Sequence, residues 1–492
     1  MKKIATLLLA AGLLFSAAGM AQAIDFKIRG QWIMAFDYGE HGAFTGGNGM
    51  TGYKKGNEDN FEARQRLRLQ LDAVASENLS GSVIFEMGDQ IWGQSATGGA
   101  LGADGTVVEV KNAWLDWMVP DTDIKVRMGL QGFFLPSMTT GSQVWGDDAA
   151  GITASWQINE NVALTALWAR LYNDNFQGYG DDGLRKNYMD NVDVAALLLP
   201  LTFDGFRLTP WAMYAGIGPN SLDADHANDW KSVGVSGIQY LAGMLPAGGA
   251  SHNSRMDLYG NAFWAGLTGE LTLLDPWRIA WDLNYGSVSY DDTSANRAGW
   301  LASLLVEYDL GWTKPGIYGW YASGDDDDRG NGSERMPYLS VANVHNAWSH
   351  YAFNGNEYIS REGAVGNGMT GTWGVGLQIA DVSFVEDLKH TFRVAYWGGT
   401  NSPSMVKYMG SAVAWDDTTA AQDGPYLTTN DGLLEFNLVN SWQIYENLEA
   451  NLELGYIINM MDKDTWDKSY VSDRNWSKQD AWKAQLIFAY SF

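Results

Sequence analysis

The sequence predicts an all-β protein: a transmembrane antiparallel β-barrel of about 18 strands, with 16 as the alternative. In the last stretch, residues 479–492, every second residue is apolar and the residues between are mostly small or polar. Because side chains alternate between the two faces of a strand, one face suits lipid and the other suits a watery lumen. The alternative is an edge strand of a soluble sandwich. Its exposed aromatic face would promote aggregation, whereas a closed barrel has no edge.

The composition agrees with a barrel and excludes several other classes. The 23 Trp and 23 Tyr are spread over all 492 residues, which suits two interfacial belts better than one buried core. The mean hydropathy of -0.22 is far from that of a helical membrane protein. The chain has no Cys, which excludes disulfides and Cys-based metal sites. The formal charge of -26 argues against nucleic-acid binding.

The first 23 residues have the organisation of a secretory signal peptide. Lys2 and Lys3 precede an apolar run, residues 4–15, that is too short to span a bilayer. Ala21 and Ala23 then form a small-x-small cleavage site. We therefore expect a barrel domain over residues 24–492, located in the bacterial outer membrane.

The strand pattern recurs along the chain, and residues 60–75 show it most clearly. A bulge near Asn112 would account for the unclear phase of residues 107–118. Short turns alternate with long polar connections, which predicts periplasmic turns and extracellular loops. After residues 38–59, the long connections lie near 93–106, 133–150, 173–190, 216–257, 324–367, 400–431 and 462–478.

Three arginines follow each other at a spacing of two on the polar face of the strand 60–75. They are Arg64, Arg66 and Arg68. On a dry face they would repel each other, so they need water or facing acids. An ordinary solvated face neutralised by Glu62, Asp72 and Glu86 is the alternative, but in a barrel the solvated face is also the pore wall. The predicted constriction includes these arginines and the inward-facing Arg29, Arg127, Lys27 and Lys125.

The connection 133–150 contains apolar residues that are unusual in a loop exposed to water. They are Phe133, Phe134, Leu135 and Trp145. Folded into the lumen, this loop would place Asp147 and Asp148 toward the arginines. Facing charges of opposite sign orient dipolar solutes and exclude apolar ones. A surface loop with a buried aromatic plug is the alternative.

The densest acidic run in the chain is Asp325, Asp326, Asp327 and Asp328. Carboxylates this close together favour Ca²⁺ or Mg²⁺, although their spacing is not that of an EF-hand loop. Two interpretations stay open: a solvated loop tip, and a Ca²⁺ site on an extracellular loop. We expect no required cofactor.

Catalytic motifs are absent from the sequence. None of the six His lies in an H-E-x-x-H motif, and no G-x-S-x-G occurs. The sequence therefore predicts a protein that is not an enzyme.

Several of these features resemble those of a known protein family. The predicted signal peptide, the arginines of the strand 60–75, the stretch 127–133 and the terminal Phe492 look like those of general trimeric porins of Gram-negative bacteria. More narrowly, the chain is similar to the outer membrane homotrimeric porins of the Desulfovibrio type. The resemblance implies a trimer of water-filled barrels with the third loop folded inward and Arg64, Arg66 and Arg68 as a basic cluster. The Pro-Glu-Phe-Gly signature of that loop is missing, and about 18 strands exceed the usual 16.

These features together predict passive diffusion of small hydrophilic solutes and ions through the outer membrane. The expected partners are a homotrimer, outer-membrane lipid and lipopolysaccharide, with no nucleic acid. A substrate-selective channel for sugars or organic acids is one alternative, which a row of aromatics along the lumen would favour. A structural or adhesive barrel is the other, which a plugged lumen would favour.

Overall fold

Alternating strands extend through the computed structural model of the chain. The structure describes residues 24–40, 42, 44–45, 61–102, 108–173, 189, 191–218, 221, 243–247, 258–339, 348–351, 353, 368–412, 425–470 and 474–492. The predicted signal peptide, residues 1–23, lies outside the described residues. Within those ranges, no helix is long and apolar enough to cross a membrane.

The described residues form 18 strands and a few short helical turns. The first nine strands are β1 (Asp25–Glu40), β2 (Phe61–Ser76), β3 (Leu79–Ile91), β4 (Val108–Met118), β5 (Ile124–Phe134), β6 (Gly146–Gln157), β7 (Ala163–Asn173), β8 (Asn191–Leu198 and Leu201–Phe203) and β9 (Phe206–Ile217). The second nine are β10 (Gly260–Leu271), β11 (Trp277–Ser289), β12 (Arg297–Tyr308), β13 (Lys314–Ala322), β14 (Thr372–Val385), β15 (Leu388–Gly399), β16 (Gly432–Tyr445), β17 (Leu448–Asn459) and β18 (Ala481–Ser491). The helical turns are Thr293–Ala295, Pro403–Tyr408 and α1 (Lys463–Trp466).

The sheet closes into a barrel because β1 pairs with both β2 and β18. Trp32 of β1 lies opposite Leu67 of β2 and Tyr490 of β18. Every other strand pairs antiparallel with its sequence neighbours. The predicted all-β, antiparallel barrel is therefore confirmed.

The strand count depends on β8, which consists of two segments. Both segments pair with β9: Leu198 lies opposite Trp211, and Leu201 opposite Leu208. Pro200 lies in the gap, and proline has no N–H to donate to the ladder. The barrel therefore has 18 strands, the larger of the two predicted numbers.

The outer face of the barrel is apolar and carries aromatic residues near both ends of the strands. Leu304 and Leu377 are 48% and 57% exposed on this face. Near the short turns lie Trp156, Trp277, Trp312, Trp442 and Tyr445. Near the long loops lie Tyr38, Tyr214, Tyr285, Trp300 and Tyr321. Two aromatic belts flanking an apolar band are typical of a membrane barrel, as the composition predicted.

The inner face is covered by loops over much of the loop-side half of the barrel. Trp264 of β10 and Trp397 of β15 point inward and are fully buried. They share one hydrophobic core with loop residues such as Val144, Met244 and Met336. Long loops therefore pack onto the inside of the wall. The sequence analysis expected this of the connection 133–150 only.

Two irregular places in the sheet bear on the sequence analysis. The register between β3 and β4 shifts beside Asn112, which confirms the expected bulge. Alternation is also weak in residues 368–399, which correspond to β14 and β15, and the register between these strands shifts twice around Val382. A bulge inserts an extra residue and breaks the strict alternation, so the period is hard to read there.

Candidate pore constriction

The three predicted arginines share the inner face of β2. Arg68 lies opposite Gln31 of β1, and the outward Leu67 lies opposite Trp32. Arg64 and Arg66 follow at the alternate positions of the same strand. The Arg64 and Arg68 side chains are 21% and 22% exposed. The Arg66 side chain is only 10% exposed. The structure therefore brings the three side chains to one strip of the inner wall, on which Arg64 and Arg68 are the accessible members.

Each of these arginines contacts a carboxylate of the wall. The pairs are Arg64 with Glu62, Arg66 with Asp89 at 3.9 Å, and Arg68 with Glu86 at 2.6 Å. Glu86 lies directly opposite Arg68 on the neighbouring strand β3. Glu62 and Glu86 are two of the three acids that the sequence analysis named as counter-charges of a solvated face.

A second group of paired charges lies nearer the periplasmic turns. Arg29 on β1 lies 3.6 Å from Asp72 on β2. On β5, Arg127 donates two hydrogen bonds to Asp116 of β4, at 2.7 and 2.8 Å. Lys125 lies 3.3 Å from the same carboxylate. Acidic side chains, mostly from neighbouring strands, therefore accompany the basic residues of β1, β2 and β5.

The connection between β5 and β6 is shorter than expected. We name residues 135–145 loop L3. Phe134 pairs with Gly146 and Gly132 with Asp148, so both strands extend into the predicted loop. The expectation that Asp147 and Asp148 belong to this loop is wrong, because both lie on β6. Consecutive strand residues point to opposite faces, and Asp148 accepts a hydrogen bond from Lys111 at 2.6 Å.

L3 makes its hydrogen bonds far from its own strands. Asp282 lies on β11, five strands beyond β6 in the sheet. Its carboxylate accepts from the Ser137 hydroxyl at 2.6 Å and from the backbone N–H groups of Met138 and Thr139 at 3.0 and 3.1 Å. The Thr139 hydroxyl also lies 2.8 Å from the hydroxyl of Ser303 on β12. The loop is thereby held against a distant part of the inner wall.

We name the second long connection, residues 323–371, L7; its described segments pack on the same side of the lumen. The Trp348 ring stacks on Tyr318 of β13 with centroids 4.7 Å apart. The His350 ring lies 3.7 Å from that of Trp397. The backbone N–H of His350 donates to both carboxylate oxygens of Glu435 on β16, at 2.8 and 3.0 Å. Aromatic stacking and a buried carboxylate therefore hold this segment of L7 on the wall.

L3 and L7 also bond to each other. The backbone N–H of Leu339 donates to the carbonyl of Val144 at 2.8 Å. The backbone N–H of Met369 donates to the side-chain carbonyl of Gln143 at 3.1 Å. The two loops therefore form one connected layer inside the barrel.

A chain of side-chain hydrogen bonds runs round the wall below this layer. Its members, on β9, β10, β11, β12, β14 and β15, are Arg207, Glu270, Arg278, Glu307, Gln378 and Arg393. Successive contacts measure 2.8, 2.6, 2.6, 2.6 and 3.2 Å. Arg393 also donates to the carbonyl of Phe353 in L7 at 3.1 Å, so the chain ends on a loop. Thr139, Trp348 and several of these residues line a cavity of about 470 Å³.

The accessible part of the inner surface is uneven. Arg68 and Glu86, on β2 and β3, have side chains 22% and 18% exposed. Glu453 and Gln485, inward-facing on β17 and β18, are only 3% and 1% exposed. Loops therefore cover the wall at β17 and β18. On β1 to β5 the inward-facing Ile33, Asp37 and Gln131 are buried as well. Contact with solvent is kept by a strip of charged side chains on these strands, which we name the uncovered arc: Arg29, Arg64, Arg68, Glu86, Lys125 and Arg127.

Inward-facing aromatics are the functional residues that sequence reasoning missed. They are Trp211, Trp264, Tyr318, Trp320 and Trp397. The signal was present as glycines on the inner face of β14. A Cβ at Gly374 or Gly376 would lie 2.2 Å from the ring of Trp320 or Tyr318, so only glycine lets these rings lie flat against the wall. Alternating glycine opposite alternating aromatics can be recognised once strand pairing is known.

The acidic run at residues 325–328 does not form a shared ligand group. Within the described ranges, no cluster of three or more His, Asp or Glu side chains could hold a metal ion. Asp325 is buried and accepts from Tyr426 at 2.6 Å, and Asp328 accepts from the N–H of Gly330 at 2.8 Å. Burial raises the pKa of the neighbouring Glu334, aided by the charges of Asp326 and Asp325. Asp325 therefore joins L7 to the connection between β15 and β16, and Asp328 stabilises a turn within L7.

No protein-family model and no curated protein matches this chain. Solved structures do share its architecture. OccK10 (OpdN) of Pseudomonas aeruginosa is 12% identical with a TM-score of 0.51, over 95% of this chain and 99% of that chain. OccAB3 of Acinetobacter baumannii is 11% identical with a TM-score of 0.50, over 95% and 99%.

A third similar structure was solved with a bound molecule. OpdK of Pseudomonas aeruginosa with vanillate is 10% identical with a TM-score of 0.50, over 95% of this chain and 98% of that chain; OpdK is an outer membrane protein. At these identities the likeness establishes the fold. The apolar outer face, the aromatic belts and the closed sheet agree with it. The chain is therefore an 18-strand antiparallel β-barrel with the fold of bacterial outer-membrane porins.

Proposed function

We propose that this barrel is a passive, non-enzymatic channel for small hydrophilic solutes and ions. The observation that carries the proposal is the position of L3, which leaves the wall between β5 and β6 and bonds to Asp282 on β11. A loop held across the inside of a barrel narrows the lumen to a constriction, where selectivity is decided.

In this proposal, solutes pass the constriction along the uncovered arc of the wall. L3 and L7 form one side of the passage. The other side is the basic strip of β2, continued toward the periplasm by Arg29 and Arg127. Support comes from the exposure of Arg68 and Glu86 beside the well-covered Glu453 and Gln485. Of the two acids on β6, Asp147 lies opposite the buried Phe133 and borders this passage, whereas Asp148 lies opposite Gly132 and points to the other face of the strand.

We further propose a homotrimer of the Desulfovibrio type, in contact with outer-membrane lipid and lipopolysaccharide. The resemblance drawn from the sequence supports the trimer, and the apolar outer face with its two aromatic belts supports the lipid contact. An SDS-resistant oligomer in unheated samples is expected, and a monomer band under every condition would remove the trimer.

Single-channel conductance in planar bilayers tests the channel itself. Large ohmic current steps are expected, closing in groups of three. The reversal potential in a salt gradient gives the ion preference of the constriction. Folded protein, verified by heat-modifiable migration, that conducts no current would contradict the proposal and leave a plugged structural barrel.

A substrate-selective channel is the second candidate, and one observation favours it. Inward-facing aromatics lie on β9, β10, β13 and β15, and Trp348 of L7 stacks on one of them. Aromatic faces bind planar or sugar-like solutes by stacking. In this structure the five inward-facing rings are at most 5% exposed because loops cover them, so a solute would have to displace a loop to reach them. The similar OpdK structure contains vanillate. Solute flux that saturates with concentration would favour this candidate, and linear flux would favour general diffusion.

A further inference from the structure

We propose that the uncovered arc of β1 to β5 is a track of paired charges that passes zwitterionic solutes more readily than singly charged ones of the same size. This inference rests on the proposed channel function and names its preferred substrate class: molecules such as amino acids, which carry an ammonium and a carboxylate together.

The first observation is the balance of charge on this arc. Six cationic side chains pair with five carboxylates. The cations are Arg29, Arg64, Arg66, Arg68, Lys125 and Arg127, and the carboxylates are Glu62, Asp72, Glu86, Asp89 and Asp116. An arc that selected anions would carry many cations without partners, whereas each of these six cations has a carboxylate within 4 Å. Lys27, a further inward-facing cation of β1, lies opposite Asp72 of β2.

The second observation is that the two charges of a pair can lie directly opposite each other on neighbouring strands. Arg68 lies directly opposite Glu86, and Arg127 directly opposite Asp116, on neighbouring strands. Both signs of charge therefore occur side by side at one depth in the lumen. A lone anion at that depth is attracted by the guanidinium and repelled by the carboxylate beside it. A zwitterion lying along the pair is attracted at both of its ends.

The third observation is that these pairs are only partly covered. Side-chain exposure reaches 35% at Arg127, 51% at Lys125 and 67% at Arg29, toward the periplasmic end. Ion pairs in contact with water are weak, so a passing solute can exchange partners with them. Because successive arginines on β2 are two residues apart, a solute moves from one pair to the next in steps of about 7 Å.

Tracer flux from proteoliposomes tests the track with three solutes of nearly equal size. Alanine is the zwitterion, lactate the anion and alaninol the cation. We expect alanine flux about threefold above that of either ion, the factor that one exposed ion pair provides. A lactate flux equal to or above the alanine flux would contradict the proposed preference for zwitterions. Potassium chloride conductance is measured first, so that a protein with no conductance counts against the channel and a conducting protein with the wrong order counts against the track.

Variants of the Arg68–Glu86 pair separate charge pairing from a merely structural role. Glu86→Gln should raise lactate flux relative to alanine, and Arg68→Gln should raise alaninol flux relative to alanine. The exchanged double variant Arg68→Glu with Glu86→Arg keeps a pair at the same depth, so it should retain the preference for alanine. Arg170→Gln, at an exposed pair with Asp193 between β7 and β8 and outside the arc, is the matched control. An exchanged variant that behaves like the single variants overturns the proposal.

Discussion

Thr139 donates its backbone N–H to the Asp282 carboxylate at 3.1 Å, although Asp282 lies five strands beyond the strand that follows the Thr139 loop. The carboxylate is only 4% exposed and also accepts from Ser137, Met138 and the hydroxyls of Thr139 and Thr268. One acid thus receives most of the hydrogen bonds that hold L3 across the barrel.

Asp282→Ala should release L3 and widen the channel. The loop loses its main acceptor, and several donors are left without a partner, at a cost of about 3 kcal/mol in the free energy of unfolding. Single-channel conductance should rise and the thermal midpoint should fall. Asp309→Asn serves as the control, because it removes a charge in the exposed turn between β12 and β13. Unchanged conductance in Asp282→Ala would mean that L3 does not limit the flow.

Glu435→Ala should loosen L7 separately. Both oxygens of the carboxylate accept a hydrogen bond from the backbone N–H of His350, and the side chain is fully buried. Its removal leaves that N–H unsatisfied, which costs about 1–3 kcal/mol. We expect noisier current with frequent brief openings. Because L3 and L7 are bonded to each other, the double variant with Asp282→Ala should deviate from additivity. Strict additivity would show that the two loops act independently.

Replacing Arg64, Arg66 and Arg68 together by Gln should shift the channel toward cations. Glu62, Glu86 and Asp89 would then remain without counter-charges on the arc. The reversal potential in a potassium chloride gradient measures the shift, which should shrink at high salt as screening increases. An ion preference identical to that of the unmodified protein would place the arginines away from the constriction.

Gly30→Ala should disturb closure of the barrel. A Cβ at Gly30 would lie 2.5 Å from the ring of Phe492, whose backbone exchanges two hydrogen bonds with Gly30, at 2.8 and 3.0 Å. Forcing extra volume into this contact costs about 1–3 kcal/mol. Gly216→Ala is the matched control, since nothing lies within 4 Å of its Cβ. The fraction of folded, heat-modifiable protein should fall in the first variant only.

Removing Phe492 should impair assembly more than Gly30→Ala does, because both hydrogen bonds to Gly30 are lost together with the ring. The amount of heat-modifiable protein in the outer-membrane fraction measures the effect. Normal assembly of the shortened chain would show that β18 closes the barrel without its last residue.

Alternation along each strand was sufficient to predict most of the wall. The predicted strands 60–75 and 479–492 correspond to β2 (61–76) and β18 (481–491) within two residues. Their outer faces are mostly apolar and their inner faces are mostly polar or small, so the period of two is plain. The inward direction of Arg64, Arg66 and Arg68 followed from the same period.

The interior depends on contacts between residues far apart in the chain, and local patterns do not contain them. Asp282 has the spacing of any inward polar residue on its strand, and only pairing across the barrel joins it to L3. Trp320 and Trp397 face inward on strands that also carry aromatics outward, so hydrophobicity could not distinguish the two faces. Asp147 and Asp148 were assigned to a loop because two adjacent acids interrupt the alternation of apolar and polar residues. The pairing of β5 with β6 nevertheless places both of them on β6.

The pairing of β1 with β18 has a consequence for the order of events during biogenesis. The first strand to leave the ribosome must wait for the last one before its edge is satisfied. Until then the sheet carries two open edges, with unpaired N–H and C=O groups and aromatic side chains facing water. Such a chain is prone to pair with other chains through these edges. Pairing of the final strand with β1 closes the sheet and removes both open edges.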